Sequence, residues 1–195
     1  GESRPHTRKV GAGLIMAVEG TDHSHTFVSW KDAYGLRWVA EARGSGVQII
    51  SNVEFKMNNH IVGIYRYHTE DEDLFKEAVR YIWETSLASY GHKQLLGLLA
   101  MRAGNAALGA VGSSRRVKNP WRDGAFSQVC CEYSVRSASK IMNKPIPGDV
   151  DSYGLIETHA FNEMYGEKVD QASVDKINAA GRKQLEDFKA RIRLG

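Results

Sequence analysis

The spacing of hydrophobic residues changes near residue 70, and that change restricts the chain to the α+β class. Upstream, short runs rich in β-branched and aromatic residues alternate with turn signals. Leu14–Val18, Thr26–Trp30, Leu36–Ala42, Val47–Ile50 and Ile61–Tyr67 read as strands, and Gly44-Ser45-Gly46 reads as a turn between two of them. Residues 14–67 therefore predict an antiparallel meander of about four or five strands. Downstream the period is helical. Asp71, Glu72 and Asp73 stand where a helix N-terminus favours negative charge, and Phe75, Val79, Ile82 and Trp83 follow at helical spacing. This predicts a helix over about 72–89, closed by Gly91. Gln94–Met101 reads as a second, apolar helix, and 102–124 as a loop carrying the basic cluster Arg115, Arg116 and Lys118. Ser127–Met142 reads as a helix ended by Pro145 and Pro147. A last helix over about 170–193 places Val174, Ile177, Leu185, Phe188 and Ile192 on one face. Three segments result: a flexible lead-in over 1–12, a folded domain over 13–160 and a helical extension over 161–195.

Composition sets the outer bounds. With 195 residues, 42% hydrophobic and 25% charged, the chain buries enough surface to fold without disulfides or metal. A net charge of +3 is far from the concentrated basic stripe of a nucleic-acid binder, so no nucleic-acid partner is expected. The longest apolar run, Leu95–Met101, is too short to span a bilayer. The chain opens Gly1-Glu2-Ser3 without an initiator methionine, which reads as a processed end and leaves periplasmic, secreted or virion-associated action open. Asp22, His23 and His25 lack the separated partners a metal site needs, so no metal is expected.

Two cysteines are present, and they are adjacent: Cys130 and Cys131. They fall at the predicted start of a helix, where a thiol's pKa is depressed, and His25 stands at the head of a predicted strand. A helix-borne thiol facing a strand-borne imidazole is an arrangement that activates a cysteine nucleophile. One helical step turns a side chain by about 100°, so only one of the two thiols can face a given histidine. A small packing residue remains the alternative for either cysteine.

Several short patterns, taken in order, resemble the circularly permuted branch of the NlpC/P60, papain-like superfamily. Gly13-Leu14-Ile15-Met16 is similar to the family's opening strand but lacks its acidic residue. Ser24-His25-Thr26-Phe27-Val28 resembles the Ser-His entry to a strand. Glu41-Ala42 and Gly46-Val47 stand where the family has a Glu-Ala strand end and a Gly-Val turn. Tyr90-Gly91-His92-Lys93-Gln94 matches only faintly. Cys130-Cys131-Glu132-Tyr133 resembles a Cys-Ser-Glu helix start, with cysteine in place of serine, and Ile146-Pro147-Gly148-Asp149-Val150 fits the segment that follows. The likeness covers roughly residues 12–155.

The resemblance implies a papain-like domain with an antiparallel sheet of about five strands against the cysteine helix. It also implies a thiol hydrolase that needs no cofactor. Cys130 would be the nucleophile, His25 the general base and then acid, and Glu41 the residue that orients the imidazole. The Cys130 backbone N–H, at the helix start, would serve the oxyanion hole, with Gln128 as a further donor. Cys131 is the alternative nucleophile. His23, sharing the face of His25, is an alternative base or a groove residue. Glu132 would cap the helix, bond a loop or contact substrate. The expected substrate is an amide in a peptide, first of all a peptidoglycan stem peptide, as in cell-wall hydrolases of bacteriophage or secretion systems. A lipid or isopeptide hydrolase, an acyltransferase, and an inactive interaction module on the same scaffold remain alternatives.

Overall fold

The computed structural model describes residues 15–18, 21–22, 24–86, 88–115, 127–148 and 153–193, and the predicted lead-in over 1–12 lies outside them. The domain is α+β. Strands β1 (Val28–Lys31), β2 (Arg37–Arg43) and β3 (Gly46–Ser51) form an antiparallel sheet in the order β1-β2-β3. The β2–β3 hairpin closes with Arg43 opposite Gly46, so its turn is the two residues Gly44 and Ser45. Gly46 takes a φ of +114°, and a Cβ there would sit 2.9 Å from the Ala88 carbonyl oxygen. Only glycine meets both demands.

Helix α1 (Asn52–Asn58) follows β3 directly. Beyond it come β4 (Tyr65–Arg66), α2 (Glu72–Glu84), β5 (Ser89–Tyr90), α3 (His92–Ala110), β6 (Ser127–Gln128), α4 (Cys130–Met142), α5 (Leu155–Tyr165), β7 (Glu167–Lys168) and α6 (Gln171–Arg193). Strands β4 and β7 pair antiparallel, while β5 and β6 form a short parallel bridge.

Several expectations need correction. The sheet has three strands among the described residues, not about five. Residues 15–18 are helical rather than extended. The meander stops at Ser51 because its side chain accepts the Glu54 N–H and caps a helix instead. Of Ile61–Tyr67 only Tyr65 and Arg66 are strand, and they pair with the far C-terminal β7. The 72–89 helix ends at Glu84, and Gly91 caps the start of α3. That helix runs on to Ala110, so 102–110 is not loop, while 116–124 lies outside the described residues. The cysteine helix starts at Cys130 rather than Ser127, and Asn143, left-handed at φ 49°, stops it before either proline.

The two faces of β2 are covered by different layers. Ala40 and Ala42 pack with Cys130, Cys131 and Tyr133 of α4, and with Ile82 of α2. Val39 packs with Phe55 of α1 and Val174 of α6. The C-terminal helix thus packs on the face of β2 opposite α4. Asn178 of α6 accepts the Ile61 N–H at 2.9 Å and donates to the Ile61 carbonyl at 2.7 Å, acting as a strand partner for one residue. At Gly181 a Cβ would lie 2.4 Å from the Lys56 carbonyl oxygen, so α6 crosses α1 at a distance only glycine permits. Phe188 and Ile192, further along, are exposed. Among the described residues no helix is long and apolar enough to cross a membrane.

Candidate active site

The site lies where α4 begins. The parallel bridge of β5 and β6 delivers the chain to Val129, which caps the helix, and Cys130 is the first helical residue. Valine has no side-chain acceptor, so nothing from the cap itself neutralises the helix's positive end beside the Cys130 thiol.

His25 approaches from the segment that leads into β1. Its Nε2–H donates to Glu41 Oε2 at 2.8 Å. That leaves Nδ1 for the thiol, and the ring is hydrogen-bonded to Cys130 as well. Glu41 is wholly buried in β2, which would be costly without partners. It has three. Besides His25, Oε1 receives Gln48 Nε2 at 2.9 Å and Arg43 Nε at 2.7 Å. The sheet explains both additions. Gln48 is the residue directly opposite Glu41 in the β2–β3 register, and Arg43 lies two residues along the same strand, on the same side. Arg43 is held in turn by Asn59 Oδ1 at 3.2 Å.

The charges alternate along this chain of contacts. For His25, burial by itself favours the neutral ring, but the bonds to Cys130 and Glu41 and their charges outweigh it and push its pKa up to about 9. The Cys130 thiol is pulled well below its ordinary value. The largest cause is its contact with Cys131, with the sulfurs 3.9 Å apart. Burial opposes the shift, and the bond to His25, its charge and a backbone N–H from Thr26 reinforce it. Burial would likewise raise the Glu41 carboxyl, but His25, Gln48 and Arg43 hold it below the usual range. The favoured state is thiolate, imidazolium, carboxylate and guanidinium in sequence. Such an ion pair can supply a nucleophilic sulfur with a proton donor beside it.

The sequence placed Cys130, His25 and Glu41 together, and they are together. Cys131 is buried against the sheet and lends its thiol to Cys130. Glu132 departs from the expected substrate contact. It is 1% exposed and bonds Arg136 Nε at 2.8 Å, one turn along α4. Its position in the helix turns it into the domain. Gln128 has its backbone in the β5–β6 bridge, and its side chain lies outside the described part, as does the whole of His23. Residues missed from sequence are Arg43, Gln48, Thr26 and Ser134. Thr26 Oγ1 and Ser134 Oγ lie 3.0 Å apart and tie the histidine segment to the cysteine helix.

Beside the thiol lies a narrow pocket of about 10 Å³, room for about one water molecule, lined by both cysteines, Ser24, Gly154 and the aliphatic side chains of Ile15, Leu95, Leu98, Leu99, Val129 and Leu155. Its two walls, α3 and α5, are clasped by the ion pair of Arg102 with Glu157, whose carboxylate also accepts the Gly154 N–H at 3.0 Å.

Comparison of the chain with protein-family models, with curated proteins and with solved structures finds no match.

Proposed function

We propose that this chain is a thiol hydrolase that cleaves an amide bond through a Cys130 acyl-enzyme, on a papain-like scaffold of the permuted NlpC/P60 type. The observation that carries the reading is His25 bridging Cys130 and a buried, multiply bonded Glu41. A core histidine that only needed satisfying would not require a carboxylate fixed by three partners.

The thiolate attacks the carbonyl carbon, and the oxygen charge that develops falls at the N-terminus of α4, near the Cys130 N–H. The His25 imidazolium gives its proton to the leaving nitrogen as the C–N bond breaks. The neutral ring then takes a proton from water, which attacks the thioester and releases the acid. Glu41 holds the ring orientation throughout, and Arg43 keeps Glu41 ionised. The family likeness carries a peptidoglycan stem peptide as substrate, with lipid amides or esters as the second possibility.

The test is iodoacetamide alkylation read by mass spectrometry, with stem-peptide turnover alongside. Cys130 alone should react at pH 6, and His25→Ala should remove that reactivity. Cys130→Ala should abolish turnover without unfolding the chain. Turnover retained in Cys130→Ala, or two thiols that react only near pH 8.5 as free thiols do, would remove the proposal's basis.

A further inference from the structure

Helix α6 outruns the layer it packs on. Val174, Asn178 and Gly181 are buried, and Gly181 marks the crossing of α1. The helix continues to Arg193, about 18 Å further at 1.5 Å per residue. Its buried stripe continues with it. Leu185 is half-buried, but Phe188 is 52% exposed and Ile192 63%. At about 100° per residue these three lie within about 60° of one another, in line with Val174, Asn178 and Gly181. The stripe is core at one end of the helix and bare at the other.

The charges around the bare end are sorted by sign. From the centre of the stripe, Lys189 lies about 70° away on one side and Arg191 about 90° on the other. Arg182 and Arg193 follow on the side of Lys189, at about 90° and 110°. The acids Glu186 and Asp187 lie beyond them at about 130°, with Lys183 on the back. Lys189 bonds Glu186 at 2.8 Å and so turns part of the acidic charge inward on the helix itself. Long basic side chains can lay their stems along the stripe and hold their heads at its two rims. A second copy of this chain is a poor cover, because cations on both rims would meet their own kind. The fitting counterpart is an apolar medium with negative charge on either side, and the boundary between acyl chains and anionic headgroups has that composition.

We infer that the C-terminal end of α6 is an interfacial helix that docks the protein on an anionic lipid surface. The helix lies on the surface and does not span it. This stands independently of the thiol-hydrolase reading, since α6 and α4 pack on opposite faces of β2 and nothing in the contact involves Cys130.

The experiment is co-sedimentation of the intact chain with vesicles of phosphatidylcholine, alone or with about a third phosphatidylserine. Binding should need the anionic lipid and weaken as salt screens the surface. Phe188→Ser should weaken it about tenfold, and Arg191→Gln and Arg193→Gln about fivefold each. All three side chains are exposed, so circular dichroism and Cys130 alkylation should match the parent chain. Failure to bind anionic vesicles at low salt overturns the proposal and leaves the stripe to an acid-rimmed protein groove. Binding that Phe188→Ser leaves intact overturns it too, because attraction by the net charge of +3 would then suffice. So does a dimer in sedimentation velocity that Phe188→Ser disperses, since a second copy would then cover the stripe.

Discussion

Glu41→Gln isolates what the buried carboxylate does for the imidazole. The amide is isosteric but has one acceptor oxygen: turned towards His25 it still accepts the Nε2–H, now at 2.8 Å, while its NH2 meets the donors Gln48 and Arg43. What it removes is a negative charge beside the ring. The rise of the His25 pKa from 6.5 to about 9 corresponds to about 3 kcal/mol in favour of the imidazolium. Cys130 is the larger cause of that rise and Glu41 the smaller. Removing a nearby anion disfavours the protonated ring, and the sign is therefore downward. The His25 midpoint should fall below about 9, and the alkylation midpoint of Cys130 should rise, because its imidazolium counter-ion is less favoured. Heteronuclear NMR of the imidazole gives the first quantity and iodoacetamide labelling the second. Circular dichroism checks that the variant folds, since the substitution takes the ion pair from Arg43 and leaves it the hydrogen bond to Asn59. A wild-type midpoint near 6.5, or one that stays near 9 in Glu41→Gln, would show that the carboxylate does not hold the imidazole charged.

Cys131→Ala should shift Cys130 alkylation to higher pH, and Cys131→Ser should restore most of it, because a hydroxyl can still donate to the thiolate; equal profiles in all three proteins would show that the neighbouring sulfur only packs. Hydrolysis, read as kcat/KM, should fall at high pH around 9, where the His25 ring loses the proton it must donate, and a profile still rising above pH 10 would exclude that role. Gly181→Ala forces a methyl against the Lys56 carbonyl and should cost about 2 kcal/mol in urea unfolding, with alkylation of Cys130 unchanged. Asn178→Ala strips two buried partners from Ile61 and should cost about 3 kcal/mol by the same assay.

The elements whose periodicity is strong were legible in the sequence. The hairpin of β2 and β3, the start of α2 and nearly the whole of α6 lie where spacing puts them. Helix α1 was not read, although Ser51 and Glu54 have the spacing of an N-terminal cap; the apolar and polar residues around them also fit a strand. Ile61–Tyr67 has strand composition, yet most of it finds no strand to pair with. Composition reports a preference, and pairing depends on where β7 arrives from about 100 residues away. At the site, the three central residues were legible because their types and order carry a chemistry. Arg43 and Gln48 were not, because their relation to Glu41 is a matter of register and strand parity. The pocket was hidden for a similar reason: its walls come from α3 and α5, and nothing in either helix marks the other as its neighbour.

The two halves of the site differ greatly in how far apart their residues lie along the chain. His25 and Glu41 are separated by 16 positions and Glu41 and Gln48 by 7, so the base and its support need only a hairpin and its lead-in. The link from that segment to the cysteine helix, Thr26 to Ser134, spans 108 positions. Closing the longer loop costs more entropy and comes later in folding. A nascent or partly folded chain can therefore hold the His25–Glu41 contact while Cys130 remains an ordinary thiol. On the proposed hydrolase reading, Cys130 gains the imidazole that activates it only when α4 docks.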